Sequence, residues 1–184
     1  MKKFLLTPVF LLVFLCSLHA QAPDPHSFVT EVMRFEKDSV KPFLLRDSAV
    51  SHFYPDWESD STMLAGLKNE LGADADYMLK QRMEFKPQVW DASKIKGATS
   101  LGEAYYKKTF SGKKQVKNWE KYYAVHKAGY YEISTPVFSR DGKTAILYMA
   151  YHCGTTCGHG GASLYRFENG KWKEVRSLFA WIKN

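Results

Sequence analysis

The chain has 184 residues, three cysteines, 15% aromatic residues and a net charge of +7 from 26 Lys and Arg against 19 Asp and Glu. That aromatic content excludes a disordered chain, and the modest positive excess favours anionic surroundings without naming a partner. No internal repeat or low-complexity tract occurs, and the length suits one domain that removes roughly two thirds of its unfolded surface from water.

Residues 1–22 read as a secretory signal: Lys2 and Lys3, an apolar run of 12 residues from Phe4 to Leu15, then small and polar residues ending at Ala22. A membrane span needs about 20 apolar residues, so no lasting anchor is predicted, and nothing later in the chain is long and apolar enough to span. Cleavage removes two of the seven excess positive charges and leaves five on a single domain, residues 23–184. A competing reading makes Cys16 a lipid-attachment site, but Val13-Phe14-Leu15 ahead of it are larger than such a site wants.

Asp24-Pro25 is a helix start, with Phe28, Val32, Phe35 and Ser39 on one face before Pro42. Residues 43–61 read as loop with at most one short turn or strand, because polar residues and Pro55 interrupt every period. Met63, Leu64, Leu67 and Leu71 predict a second helix ended by Gly72, and Asp74 a third that carries Tyr77, Met78 and Phe85 and closes before Pro87. From Val89 to Phe110 the pattern allows one or two strands around a turn at Gly97. After a Lys-rich loop, Trp119, Tyr122, Tyr123 and His126 mark a helix ended by Gly129.

The last third has strand composition between recognisable turns. Tyr131, Ile133, Thr135 and Val137 alternate with polar residues and Pro136, which predicts a half-buried strand turned back by Asp141-Gly142. Residues 145–151 are apolar on both faces and predict a central strand covered by helices on one side. A third strand spans about 162–168, and Asn169-Gly170, both tolerant of positive φ, turns it into a fourth strand from near Trp172. Phe179, Trp181 and Ile182 then close the sheet. The fold class expected is α+β, with N-terminal helices packed on a C-terminal antiparallel meander of four to five strands.

Between the second and third strands lies the one chemically unusual stretch, residues 152–161. In an oxidising compartment Cys153 and Cys157 are expected to form a disulfide, whose five-residue ring contributes only about 2 kcal/mol, and so serves mainly to fix the loop. His152, Thr155, Thr156 and His159 are then the candidate recognition loop. A zinc or copper site built from His152, Cys153, Cys157 and His159 has the right donors, but all four lie within eight residues and strand alternation turns His152 and Cys153 to opposite faces. An envelope hydrolase or thiol enzyme using Cys153 or Cys157, with His159, His152 or His126 as base, lacks any family-specific motif and the Cys-x-x-Cys spacing of redox sites. No catalytic residue, cofactor or metal is assigned.

Trp119-Glu120-Lys121-Tyr122-Tyr123, Gly129, residues 133–139, Ala145-Ile146-Leu147-Tyr148, the Cys153-Gly154 and Cys157-Gly158-x-Gly160 dipeptides and Asn169-Gly170-Lys171-Trp172 resemble a family of uncharacterised exported bacterial proteins. The resemblance covers about residues 119–182. It implies a shape and a periplasmic or secreted location, and no chemistry. Members tend to carry a small residue where His159 stands here, which speaks against a shared metal role.

Six lysines, Lys107, Lys108, Lys113, Lys114, Lys117 and Lys121, crowd beside Tyr105, Tyr106, Phe110 and Trp119. That mixture suits a polyanion, but a solvated face over core-facing aromatics explains it more simply, and no nucleic-acid partner is expected. Asp56, Glu58 and Asp60 read as exposed loop charge, and His52 and His126 as packing or hydrogen-bonding residues. The function expected is an exported, non-catalytic binding or interaction domain for an unknown protein or envelope ligand.

Overall fold

The computed structural model describes residues 23–36, 42–50, 61–84 and 88–183, and the side chains of 34–36 and 61–64 are not described. The signal reading of residues 1–22 with Cys16, and the readings of His52, Asp56, Glu58, Asp60 and Phe85, fall outside them. The fold is mixed α+β, with five helices and a seven-stranded sheet among the described residues.

The first helix, α1 (Pro25–Glu36), begins where the Asp24 carboxylate accepts the Ser27 backbone N–H at 2.9 Å and the Ser27 hydroxyl at 2.8 Å. Strand β1 (Phe43–Arg46) follows, then α2 (Ser61–Leu71), Gly72 at φ 56°, and α3 (Ala73–Met83). Asp74 sits inside the first turn of α3 and Gly72 holds the cap position, so no side chain closes that helix start. A short 3-10 turn (Ala92–Lys94) leads to β2 (Ala98–Leu101).

The stretch read as one or two strands contains a helix as well, α4 (Glu103–Phe110). Helix α5 (Gln115–Tyr123) begins four residues before the expected Trp119 and ends six before Gly129. The C-terminal strands are β3 (Tyr130–Ile133), β4 (Val137–Phe138), β5 (Thr144–His152), β6 (Gly158–Glu168) and β7 (Lys171–Lys183). The expected strand through Val137 is thus two short ones. Pro136 has no N–H to give the ladder, and the Ser134 hydroxyl bridges the gap by accepting the Tyr148 N–H at 3.0 Å.

Strand order is β2-β1-β3-β5-β6-β7, with β4 pairing the first half of β5. The sheet is mixed: among the C-terminal strands β3-β5, β5-β6 and β6-β7 pair antiparallel, while β1, which lies outside the expected meander, pairs parallel with both β2 and β3. Helices α2 and α3 connect β1 to β2, and α4 and α5 connect β2 to β3, so parallel pairing follows from the helical crossovers. Asn169 at φ 52° and Gly170 at φ 77° make the tight turn between β6 and β7.

Helices stand on both faces of the sheet rather than one. On the first face, Phe28, Val29 and Val32 of α1 join Leu45, Ile133, Leu147 and Trp172 in one core. On the second face, Leu67 and Met78 of α2 and α3 pack on Ile146, Tyr148 and Leu164. A third cluster on that same face packs α4 and α5 on Leu101 and Tyr130.

Candidate functional site

Cys153 and Cys157 form a disulfide, with Cα atoms 5.0 Å apart. The Cys153 N–H donates to the Cys157 carbonyl at 3.1 Å, and the Tyr123 hydroxyl donates to the Cys153 carbonyl at 2.8 Å. In this state neither sulfur is a thiolate, the form that nucleophilic or metal chemistry requires. Because both backbone bonds survive reduction, replacing Cys153 and Cys157 with serine is expected to cost about 2 kcal/mol or less and to keep the fold, as read from a denaturant curve beside an unchanged far-UV spectrum.

The loop does not gather its histidines. His152 lies opposite Tyr130 on β3 and Gly158 on β6, while His159 lies opposite Tyr151, so strand alternation sends the two imidazoles to opposite faces. Thr155 is half-buried, and Thr156 and His159 are exposed. Among the described residues no group of three His, Cys, Asp or Glu is placed to hold a metal ion.

On the second face His152 enters a charge network that the sequence reading missed. Its Nε2 is 3.1 Å from Oε2 of Glu132, whose Oε1 accepts Arg46 Nη1 at 2.7 Å. Arg46 also donates Nε and Nη2 to the two oxygens of Glu103, both at 3.0 Å, and its guanidinium lies 3.8 Å above the Tyr106 ring. His152 stacks on Tyr130 and meets Trp181, so the network fills the seam between the two helix pairs on that face.

Burial by itself would raise the Glu132 carboxyl, but the hydrogen bond and charge of His152, and those of Arg46, outweigh it and hold the group below the usual range. The hydrogen bond from Arg46 does the same to Glu103 against a smaller opposing effect of burial. Burial and the neighbouring Glu132 charge push the Tyr106 phenol up, and burial pushes Tyr130 further still, so both stay neutral. Every charge in the network faces an opposite one. That arrangement ties β1, β3, β5 and α4 together, and leaves no group poised as a free acid or base.

On the first face a groove of about 340 Å³ opens over β3, β5, β6 and β7. Tyr131, Met149, Tyr151 and His159 form one wall, with Tyr131 and Tyr151 ring centroids 4.9 Å apart and Tyr151 and His159 5.6 Å apart. The floor is low at Gly161, where a Cβ would collide with the Phe179 carbonyl oxygen.

The opposite wall depends on two register shifts in β7. Ser163 pairs with Ser177 while Ala162 pairs with Phe179, and Tyr165 pairs with Glu174 while Leu164 pairs with Arg176, so Leu178 and Val175 are each bulged out. Strict alternation would send Glu174 and Ser177 to opposite faces, yet both line the groove because Val175 shifts the phase. The same bulges, with Lys171, Lys173 and Arg176 along this edge, blunt β7 against pairing with another sheet.

A broader cavity of about 830 Å³ lies between α1, the 3-10 turn and the β6–β7 turn, beside Lys94, Lys96 and Lys171. Its polar side chains are largely used within the chain: the Ser27 hydroxyl by Asp24, the Ser93 hydroxyl by Asp91, and Glu31 by the Trp172 N–H at 2.7 Å. The six-lysine stretch is exposed on α4, α5 and their connection, and its aromatics pack inward on Tyr130 and Leu101. His126 is a packing residue against Tyr122 and Tyr105. No helix among the described residues is long and apolar enough to cross a membrane.

Compared with protein-family models, with curated proteins and with solved structures, the chain matches none.

Proposed function

We propose that the protein is an exported, non-catalytic binding domain, periplasmic or secreted after loss of residues 1–22, and that it takes its ligand in the groove on the first sheet face. The carrying observation is the groove itself, about 340 Å³ with a wall of rings and a floor opened by Gly161, set on strands that the sheet holds rigid. Within the expected recognition loop, His159 reaches the groove, while His152 is committed to Glu132 on the other face. The disulfide, at the end of the same strands, is compatible with an oxidising compartment outside the cytosol. The resemblance of residues 119–182 to exported bacterial proteins belongs to the same reading.

Two measurements test it. The mass of protein recovered from cells is expected to lack the first 22 residues and to be unchanged by alkylation until it is reduced; retention of those residues with two alkylatable thiols overturns the export reading. For binding, Ser163→Trp places an indole in the groove. A ligand-observed NMR screen of amines, amino acids, short peptides and small saccharides is expected to yield binders to the wild type that Ser163→Trp loses. An identical set of binders for both proteins overturns the groove as the site.

A further inference from the structure

Resting on the groove reading, we infer that its ligand is a small organic cation carrying an alkylammonium group. The chain as a whole carries seven excess positive charges, yet among the described residues no lysine or arginine lines this groove. Among the described residues Glu174 is its one carboxylate and His159 its one imidazole.

Glu174 is exposed, and its Oε1 accepts the Ser163 hydroxyl at 2.7 Å. That bond leaves the carboxylate charge uncompensated: among the described residues Glu174 has no ion pair, whereas Glu168, six residues earlier, meets Lys173 at 3.7 Å and Glu70 meets Arg166 at 3.1 Å. Alternation puts Lys173 on the other face from Glu174, and the bulge at Val175 sends Arg176 there as well, so neither neighbour on the strand reaches the Glu174 carboxylate in the groove.

The same groove is lined by Tyr131 of β3 and by Tyr151 and Met149 of β5, with Met149 paired to Gly161. Tyrosine rings present a negative face to a cation, and a thioether is soft and polarisable, so the surfaces that contact alkyl groups also favour positive charge. A carboxylate and aromatic rings lining one groove match an ammonium group wrapped in methyl or methylene groups. An anionic ligand would meet Glu174 with no lysine or arginine among the described lining residues to compensate it, and a neutral sugar would leave the charge unused.

The test uses the mature, disulfide-bonded protein, choline as the cationic probe and 3,3-dimethylbutan-1-ol as its neutral counterpart of the same shape, titrated at pH 8 and low salt by amide chemical shifts. Choline is expected to shift the amides of Tyr151, His159, Gly161 and Glu174 and to bind about tenfold more tightly than the alcohol. Glu174→Gln is expected to remove most of that preference, and added salt to weaken choline binding alone. Equal affinity for the two probes in the groove overturns the cation assignment while leaving the groove as a binding site. Shifts confined to residues outside the groove overturn the assignment and the groove reading together, as does the absence of any shift with either probe.

Discussion

Arg46→Ala is expected to lower the unfolding free energy by about 3 kcal/mol, at the lower end of what breaking a buried ion pair costs. The side chain of Arg46 is 18% exposed, and its partners Glu132 and Glu103 are 13% and 25% exposed. Removing the guanidinium leaves two carboxylates in that seam with only the His152 imidazole near Glu132. Most of the loss is the desolvation of an unpaired carboxylate, because the pair itself gains little over an apolar replacement of equal volume. Arg46→Met combined with Glu132→Gln and Glu103→Gln is therefore expected to recover most of the loss. Arg46→Lys is expected to cost at least about 1 kcal/mol, since a single ammonium cannot bond both oxygens of Glu103 and still reach Glu132. Urea denaturation midpoints check the series, and a loss below about 1 kcal/mol for Arg46→Ala shows that the seam carries no net stabilisation.

The same network sets the acid limb of stability. The folded-state pKa values of Glu132 and Glu103 lie below the ordinary glutamate value, so the unfolded chain takes up protons first as pH falls. Their contribution is complete above the ordinary value, near pH 4.3, and is lost as pH drops through the depressed folded values. Denaturant midpoints measured from pH 7 to pH 3 are expected to fall steeply only at the acid end, and less steeply in Arg46→Ala. A midpoint that is flat below pH 4 in the wild type contradicts the depressed carboxyls.

How much of this was legible in the chain depended on sequence separation. Asp24-Pro25, Gly72 and Asn169-Gly170 are local signals, and each stands at the helix start, helix end or turn it announced. Strand β5 was legible because it is apolar at consecutive positions, although that pattern means cover on both faces and was read as cover on one. Helix α4 was misread: Tyr105, Tyr106 and Phe110 find their packing partners in Trp119 and Tyr122 of α5, which no local pattern shows. Strand β1 has four residues, too few to show a period.

The charge network had no local signal at all, since Arg46 is 57 positions from Glu103 and 86 from Glu132. For the histidines, alternation does the separating: His152 and His159 pair with different positions across β5 and β6. The polar wall of the groove was hidden for another reason. Bulges at Val175 and Leu178 break the period of two on which any reading of strand faces relies.

Phe28→Ala is expected to cost about 3–5 kcal/mol, the range for emptying an aromatic site that cannot collapse. Phe28 is 1% exposed, and its ring meets Trp172 at 4.7 Å, Phe138 at 5.4 Å and Tyr165 at 5.6 Å, all edge to face. Those three rings come from β7, β4 and β6, strands fixed by their own ladders, so they cannot close over the space. Helix α1 is also pinned there by Glu31 accepting the Trp172 N–H, so it is expected to stay docked over a cavity rather than detach. Phe28→Leu, which keeps most of the volume, is expected to cost roughly 1–2 kcal/mol. Thermal unfolding and denaturant curves measure both. Because no described residue of α1 lines the groove, Phe28→Ala is expected to leave choline affinity within about twofold of the wild type at temperatures where the protein remains folded. A parallel loss of affinity and stability would place α1 in the binding face, and would mean that the groove is shaped from across the core rather than by the strands and bulges that line it.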